Sequence, residues 1–128
     1  MRTSTRWALV AVLMMTGCAT MRPANDGPIK HIVVVWLKEP GNETNRQKLI
    51  DRARTFTKIP GLTSVSSGTV LPSERMGVDS TFDVAFIMTF AGEQALRDYE
   101  QNPIHKKAVQ EVLAPLAAKF VMYDFRVR

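Results

Sequence analysis

Two rhythms of apolar positions divide the chain. In residues 29–38 (IKHIVVVWLK) a two-residue repeat is filled on both sides, with His31, Val33, Val35 and Leu37 on one and Ile32, Val34 and Trp36 on the other. That pattern predicts a strand covered on both faces, by helices on one and by a second sheet on the other. Over residues 43–58 the rhythm lengthens. Leu49, Ile50, Ala53 and Phe56 recur at helical spacing with Arg and Lys opposite them. Pro60 ends this helix, because it cannot continue it and steers the residue before it away from helical geometry.

LTSVSSGTVL (62–71) predicts a weaker strand with a bulge at Gly68, and PSERMGVDS a polar connection. TFDVAFIMTF (81–90) predicts a second strongly apolar strand. Ala91 to Gln101 predicts a short helix burying Ala95, Leu96 and Tyr99. Asn102 and Pro103 restart the helix, since Asn caps well and Pro is tolerated at the first helical position. Val109, Val112, Leu113 and Leu116 continue the apolar stripe until Pro115 weakens it, and KFVMYDFRV (119–127) closes as a strand. The β-α-β-β-α-β order is that of a ferredoxin-like α+β unit. Its helices occupy one face of an antiparallel sheet and leave the other face to a partner.

The first residues have a different character. Arg2 and Arg6 precede nine apolar residues, Trp7 to Met15, a run too short to span a bilayer core of roughly 20 helical residues but of signal-peptide length. Thr16-Gly17-Cys18 resembles the end of a bacterial lipobox. The expected organisation is therefore a lipoprotein signal peptide (1–17), a lipidated Cys18 with a polar, proline-containing tether (18–28), and one folded domain (29–128). Cys18 is the only cysteine and so has no intramolecular disulfide partner. Ala19 after it, where an aspartate would favour inner-membrane retention, points to the outer membrane facing the periplasm.

Charge narrows the partners. Removing residues 1–17 leaves 15 basic and 12 acidic side chains, scattered rather than striped, so nucleic acid is not an expected partner. Two histidines without cysteine ligands give no basis for a zinc site, Glu74 and Asp79 read as solvated loop acids, and no glycine-rich phosphate loop is present. No metal or cofactor is expected.

IKHIVVVWLK, KIPG, TFDVAFIMTF, DYEQNPIH and FVMYDF, in this order and spacing, resemble the stress-responsive dimeric α/β-barrel (Dabb) family over about residues 29–127. The resemblance implies a homodimer whose two sheets pack face to face into a barrel. The family includes stress proteins and a polyketide cyclase, so no single activity is implied. His31, Tyr99 and His105 match positions where cyclase-type members place polar groups around a pocket, whereas Phe82 and Val84 replace a Tyr and a His common on the third strand. The ligand pocket is expected to include His31, Val33, Val35, Val84 and Phe86, and the dimer interface Ile32, Val34 and Trp36.

Two readings of Tyr99 and His105 stay open. In the chemical one, a helix dipole and the adjacent Lys106 and Lys107 keep His105 neutral, so that it abstracts a proton next to a carbonyl while Tyr99 donates to the developing oxyanion. That would be a cofactor-independent cyclase or lyase. In the structural one, the Tyr99 hydroxyl bonds His105 and locks the junction of two helices, and His31 merely satisfies a backbone carbonyl. The domain then binds a small apolar or amphipathic molecule, or serves purely as an interaction dimer.

Overall fold

The computed structural model describes residues 27–128. The expected signal peptide, Cys18 and the tether as far as residue 26 lie outside the described residues. The elements run β1 (Ile29–Leu37), α1 (Glu43–Arg54) with a 3-10 turn (Thr55–Lys58), β2 (Leu62–Thr69), β3 (Val84–Phe90) and α2 (Glu93–Gln101). They continue through α3 (Pro103–Ala108), a π-helical stretch (Val109–Leu113), α4 (Ala114–Leu116) and β4 (Ala117–Arg126). The four strands form one sheet in the order β2-β3-β1-β4, with every neighbouring pair antiparallel. This is the ferredoxin-like α+β topology.

Local chemistry sets the element ends. The Asn42 side chain accepts from the Asn45 N–H at 3.0 Å and caps α1. The Asn102 side chain accepts from the Ile104 N–H at 2.9 Å and caps α3, with Pro103 in its first turn. Between the 3-10 turn and β2, Gly61 has φ +83°, and a Cβ there would lie 2.6 Å from the Ala95 Cβ on α2. The chain can pass that close to the helix only without a side chain.

Along β1 burial alternates strictly. Ile29, His31, Val33, Val35 and Leu37 are buried against the helices, while Lys30, Ile32, Val34 and Trp36 are half-buried on the open face. Leu49, Ala53 and Phe56 from α1 and its 3-10 turn, with Leu96 and Tyr99 from α2, complete the core. On the open face Ile32 lies between Ile87 and Tyr123, and Val34 between Ala85 and Val121. β4 is an edge strand, and even its helix-facing Phe120 and Met122 remain 44% and 53% exposed.

Three features differ from the sequence expectation. β3 starts at Val84 rather than residue 81, because Asp83 turns its carboxylate inward and accepts from the Leu37 N–H (2.9 Å), the Gly41 N–H (2.7 Å) and Arg46 Nη2 (3.1 Å). Gly68 makes no bulge. It pairs in register with Ala85, and the irregularity falls between Leu62 and Ser64, where the chain leaves the Gly61 turn. The helix after Asn102 widens into a π-helical stretch, with the Ala114 N–H donating to the Val109 carbonyl five residues back. Pro115 has no N–H for the Glu111 carbonyl, so the regular ladder is already broken there.

Candidate functional site

A cavity of ≈ 260 Å³ lies between the sheet and the helices. Val33, Phe86 and Met88 form its floor, and Leu49, Arg52, Ala53 and Phe56 one wall. Ala108 with Val109, Val112 and Leu113 of the π-helical stretch forms the opposite wall. The cavity opens beside Phe120 and Met122 on the half-exposed edge strand. Its polar side chains are His31, Tyr99, His105 and Arg52.

Tyr99 sits at the centre of an aromatic cluster. Its ring lies 4.9 Å from Phe90, 5.5 Å from Phe56 and 6.1 Å from His31 between centroids. The His105 ring is tilted by 37° over Tyr99 at 4.2 Å. The two residues therefore meet ring to ring, and the expected hydrogen bond between them is absent. The Tyr99 hydroxyl instead donates to Met88 Sδ at 3.4 Å. A thioether is a weak acceptor, which leaves this buried O–H with most of its donor capacity unspent. Burial, together with the Glu100 charge, raises the Tyr99 pKa well above its ordinary value, so the group is a donor and not a base.

His31 and His105 each have one nitrogen engaged. His31 Nδ1 lies 2.5 Å from Asp124 Oδ1, its cross-strand partner on β4. The partner is thus a carboxylate and not the backbone carbonyl expected from sequence. His105 Nδ1 lies 3.3 Å from the Glu100 carbonyl, an acceptor only, so this nitrogen carries the proton. For neutral His105 that leaves Nε2 with its lone pair, the nitrogen a base would use. Burial lowers the His105 pKa, with smaller contributions from His31 and Lys106, and the Glu100 carbonyl and charge only partly oppose it. The direction is the one expected from sequence, but its main cause is desolvation.

Of the expected pocket residues, the fold brings His31, Val33, Phe86, Tyr99 and His105 to the cavity. Val35 and Val84 share the helix-facing side but do not line it. Both are fully buried in the core nearer the Asp83 end of the sheet. Phe82 lies before β3 and packs edge-on to Trp36 at 6.4 Å. Asp79 bonds the Thr81 N–H and hydroxyl, and no cluster of metal-ligating side chains occurs among the described residues. Sequence reasoning missed Asp124 and Arg52. Asp124 was traceable only through its alternation with Phe120 and Met122 combined with the β1–β4 register. Arg52 reads from sequence as one of the polar-face cations of α1.

The family model described as Stress responsive A/B Barrel Domain matches residues 29–127. The chain belongs to the Dabb family. A Dabb family protein with a ferredoxin-like fold from Mesorhizobium loti is 26% identical, covering 80% of this chain and 98% of its own with a TM-score of 0.65. A dimeric ferredoxin-like protein from Thermobifida fusca is 22% identical over 80% of this chain and 92% of its own, TM-score 0.65. Hydroxynitrile lyase from Passiflora edulis is 18% identical over 80% and 95%, TM-score 0.69, and shares the fold. No curated protein sequence matches significantly.

Proposed function

We propose that this Dabb domain is an envelope-anchored homodimer that holds a small, largely apolar molecule between its sheet and helices. The observation that carries the reading is the ≈ 260 Å³ cavity with apolar floor and walls, lined in part by Tyr99, whose hydroxyl has only a thioether partner among the described residues. Pockets of about 300–1,000 Å³ with a few convergent polar groups are the usual form of a small-molecule site, so this one suits a small ligand. Its polar end would be a carbonyl or hydroxyl oxygen able to accept from Tyr99. Dimerisation is supported by the apolar open face of the sheet and by the dimeric Thermobifida fusca protein of the same fold. Anchoring rests on the short apolar segment ending in Thr16-Gly17-Cys18.

The direct test is calorimetric titration of the full chain in lipid nanodiscs with 4-ethylacetophenone, using empty nanodiscs as reference. Saturable binding should weaken about three- to tenfold in Tyr99→Phe, the scale of one net hydrogen bond. Filling the cavity with Val112→Trp should abolish it. Binding that ignores both changes places the site elsewhere.

One observation favours a second reading, a cofactor-independent lyase or cyclase. The Glu100 carbonyl fixes the His105 tautomer with Nε2 free, and burial lowers its pKa. A neutral imidazole so held takes a proton from carbon next to a carbonyl, while the Tyr99 O–H stabilises the enolate oxygen. His105→Gln would then abolish turnover and spare ligand affinity, whereas a binding module would show no turnover to lose.

A further inference from the structure

We infer that the ligand of this cavity ends in a carboxylate, and that Arg52, partly exposed on the α1 wall, receives it. The inference rests on the cavity being a ligand site. Leu49, Arg52, Ala53 and Phe56 share one face of α1 and its 3-10 extension, at spacings of three and four residues. Phe56 packs against Tyr99 and His105, with centroids 5.5 and 6.0 Å away. Arg52 precedes Phe56 by four residues, about 6 Å along the axis at 1.5 Å per helical residue. A short molecule lying along this wall can meet Tyr99 with one end and Arg52 with the other.

Arg52 is the one permanently charged side chain on the cavity lining among the described residues. Its side chain is 32% exposed, and its guanidinium makes a single protein hydrogen bond among the described residues, from Nη2 to Glu111 Oε2 at 3.1 Å. A guanidinium carries five N–H donors in a planar fork, so one bond leaves Nε and Nη1 unspent. A carboxylate matches that fork with two parallel charge-assisted bonds, and the apolar walls beside it strengthen them.

Glu111 does not close the site to such a ligand. It is 46% exposed, where ion pairs contribute little, and it has a second cation in Lys107, 3.7 Å away and one helical turn back. As a ligand carboxylate approaches Arg52, Glu111 shifts to Lys107 without being left as an isolated charge. The chemical class is a small monocarboxylic acid whose aliphatic or aryl body carries a carbonyl or hydroxyl oxygen at its far end for Tyr99. The competing account is that the Arg52 stem merely covers apolar surface while its head sits in water.

Matched probes separate these accounts. The full chain in nanodiscs is titrated with 4-acetylbenzoate and with 4-acetylbenzamide, which share an acetyl oxygen for Tyr99 and differ in charge at the other end. The acid should bind at least tenfold more tightly than the amide. Arg52→Gln should remove that preference by weakening the acid alone, and Glu111→Gln should tighten the acid by freeing the fork. Thermal melts of both variants check that the fold is intact. Equal binding of acid and amide, or a preference that survives Arg52→Gln, overturns the inference while leaving the cavity reading in place. If neither probe binds while 4-ethylacetophenone does, the inference is overturned and the cavity reading stands. If none of the three binds, or if all still bind to Val112→Trp, the cavity reading itself fails and takes this inference with it.

Discussion

His105 is where a single side chain distinguishes a structural junction from chemistry. Its ring stacks on Tyr99 and is held from behind by the Glu100 carbonyl, so loss of the imidazole costs packing and one hydrogen bond. His105→Gln should lower unfolding free energy by about 1–2 kcal/mol, measured by urea denaturation. The pH dependence has a definite sign. Folding lowers the His105 pKa below 6.5, so in the window beneath that value the unfolded chain binds the proton more readily. The contribution of this residue is complete above about pH 6.5 and is lost as pH falls toward the folded pKa. The melting temperature of the wild type should therefore decline more steeply than that of His105→Gln on acidification below this point. An NMR-titrated imidazole pKa above 6.5 would contradict the desolvation account and the proton-abstraction reading together.

At the scale of elements, the join between β1, α1 and β3 depends on one buried acid. Asp83 is 3% exposed and is held by two backbone N–H groups and Arg46, fixing the β1–α1 loop onto the start of β3. Burial alone would raise its carboxyl pKa. The N–H groups of Leu37 and Gly41 and the Arg46 guanidinium outweigh that and hold it below the usual value of 3.8. Its stabilisation is thus present above pH 3.8 and is lost as pH falls through the lower folded pKa. Asp83→Asn should cost about 3 kcal/mol by denaturant titration at pH 7, because it leaves Arg46 without its buried counter-charge. A smaller capping effect is expected from Asn102→Ala, about 1 kcal/mol in the same assay.

For the whole molecule, the open sheet face is where the proposed homodimer would form. Ile87, Tyr123 and Phe125 are 43%, 57% and 50% exposed there, around a centre formed by Ile32 and Val34. Trp36 lies toward one end, bonded to Thr81 at 2.8 Å and covered by Lys119 at 4.2 Å, so it is already partly satisfied within its own chain. Ile32→Glu should dissociate the proposed homodimer in sedimentation equilibrium at micromolar concentration more completely than Trp36→Glu. A wild type that sediments as a monomer would remove the proposed assembly. Mass spectrometry of the mature N-terminus should show acylated Cys18, and Cys18→Ala should release the protein from membranes; an unmodified N-terminus at another residue would rule out the anchor.

The order of elements, the Asn102 cap and the two faces of β1 were legible in the sequence, because each follows from local periodicity or from a side chain bonding its own neighbourhood. The alternation of His31, Val33 and Val35 against Ile32, Val34 and Trp36 is a property of the strand itself. Asn102 caps a helix two residues away and needs no distant partner. What depended on tertiary structure involves residues far apart in the chain. Asp124 meets His31 across 93 positions, Asp83 meets Leu37 across 46, and Glu111 meets Arg52 across 59. No periodicity encodes such pairings, since they are set by sheet register and by how helices settle on it. The same reason separates Val35 and Val84 from Val33 and Phe86. All four share one face of the sheet, and only the placement of the helices decided which pair would be sealed in the core and which would line the cavity.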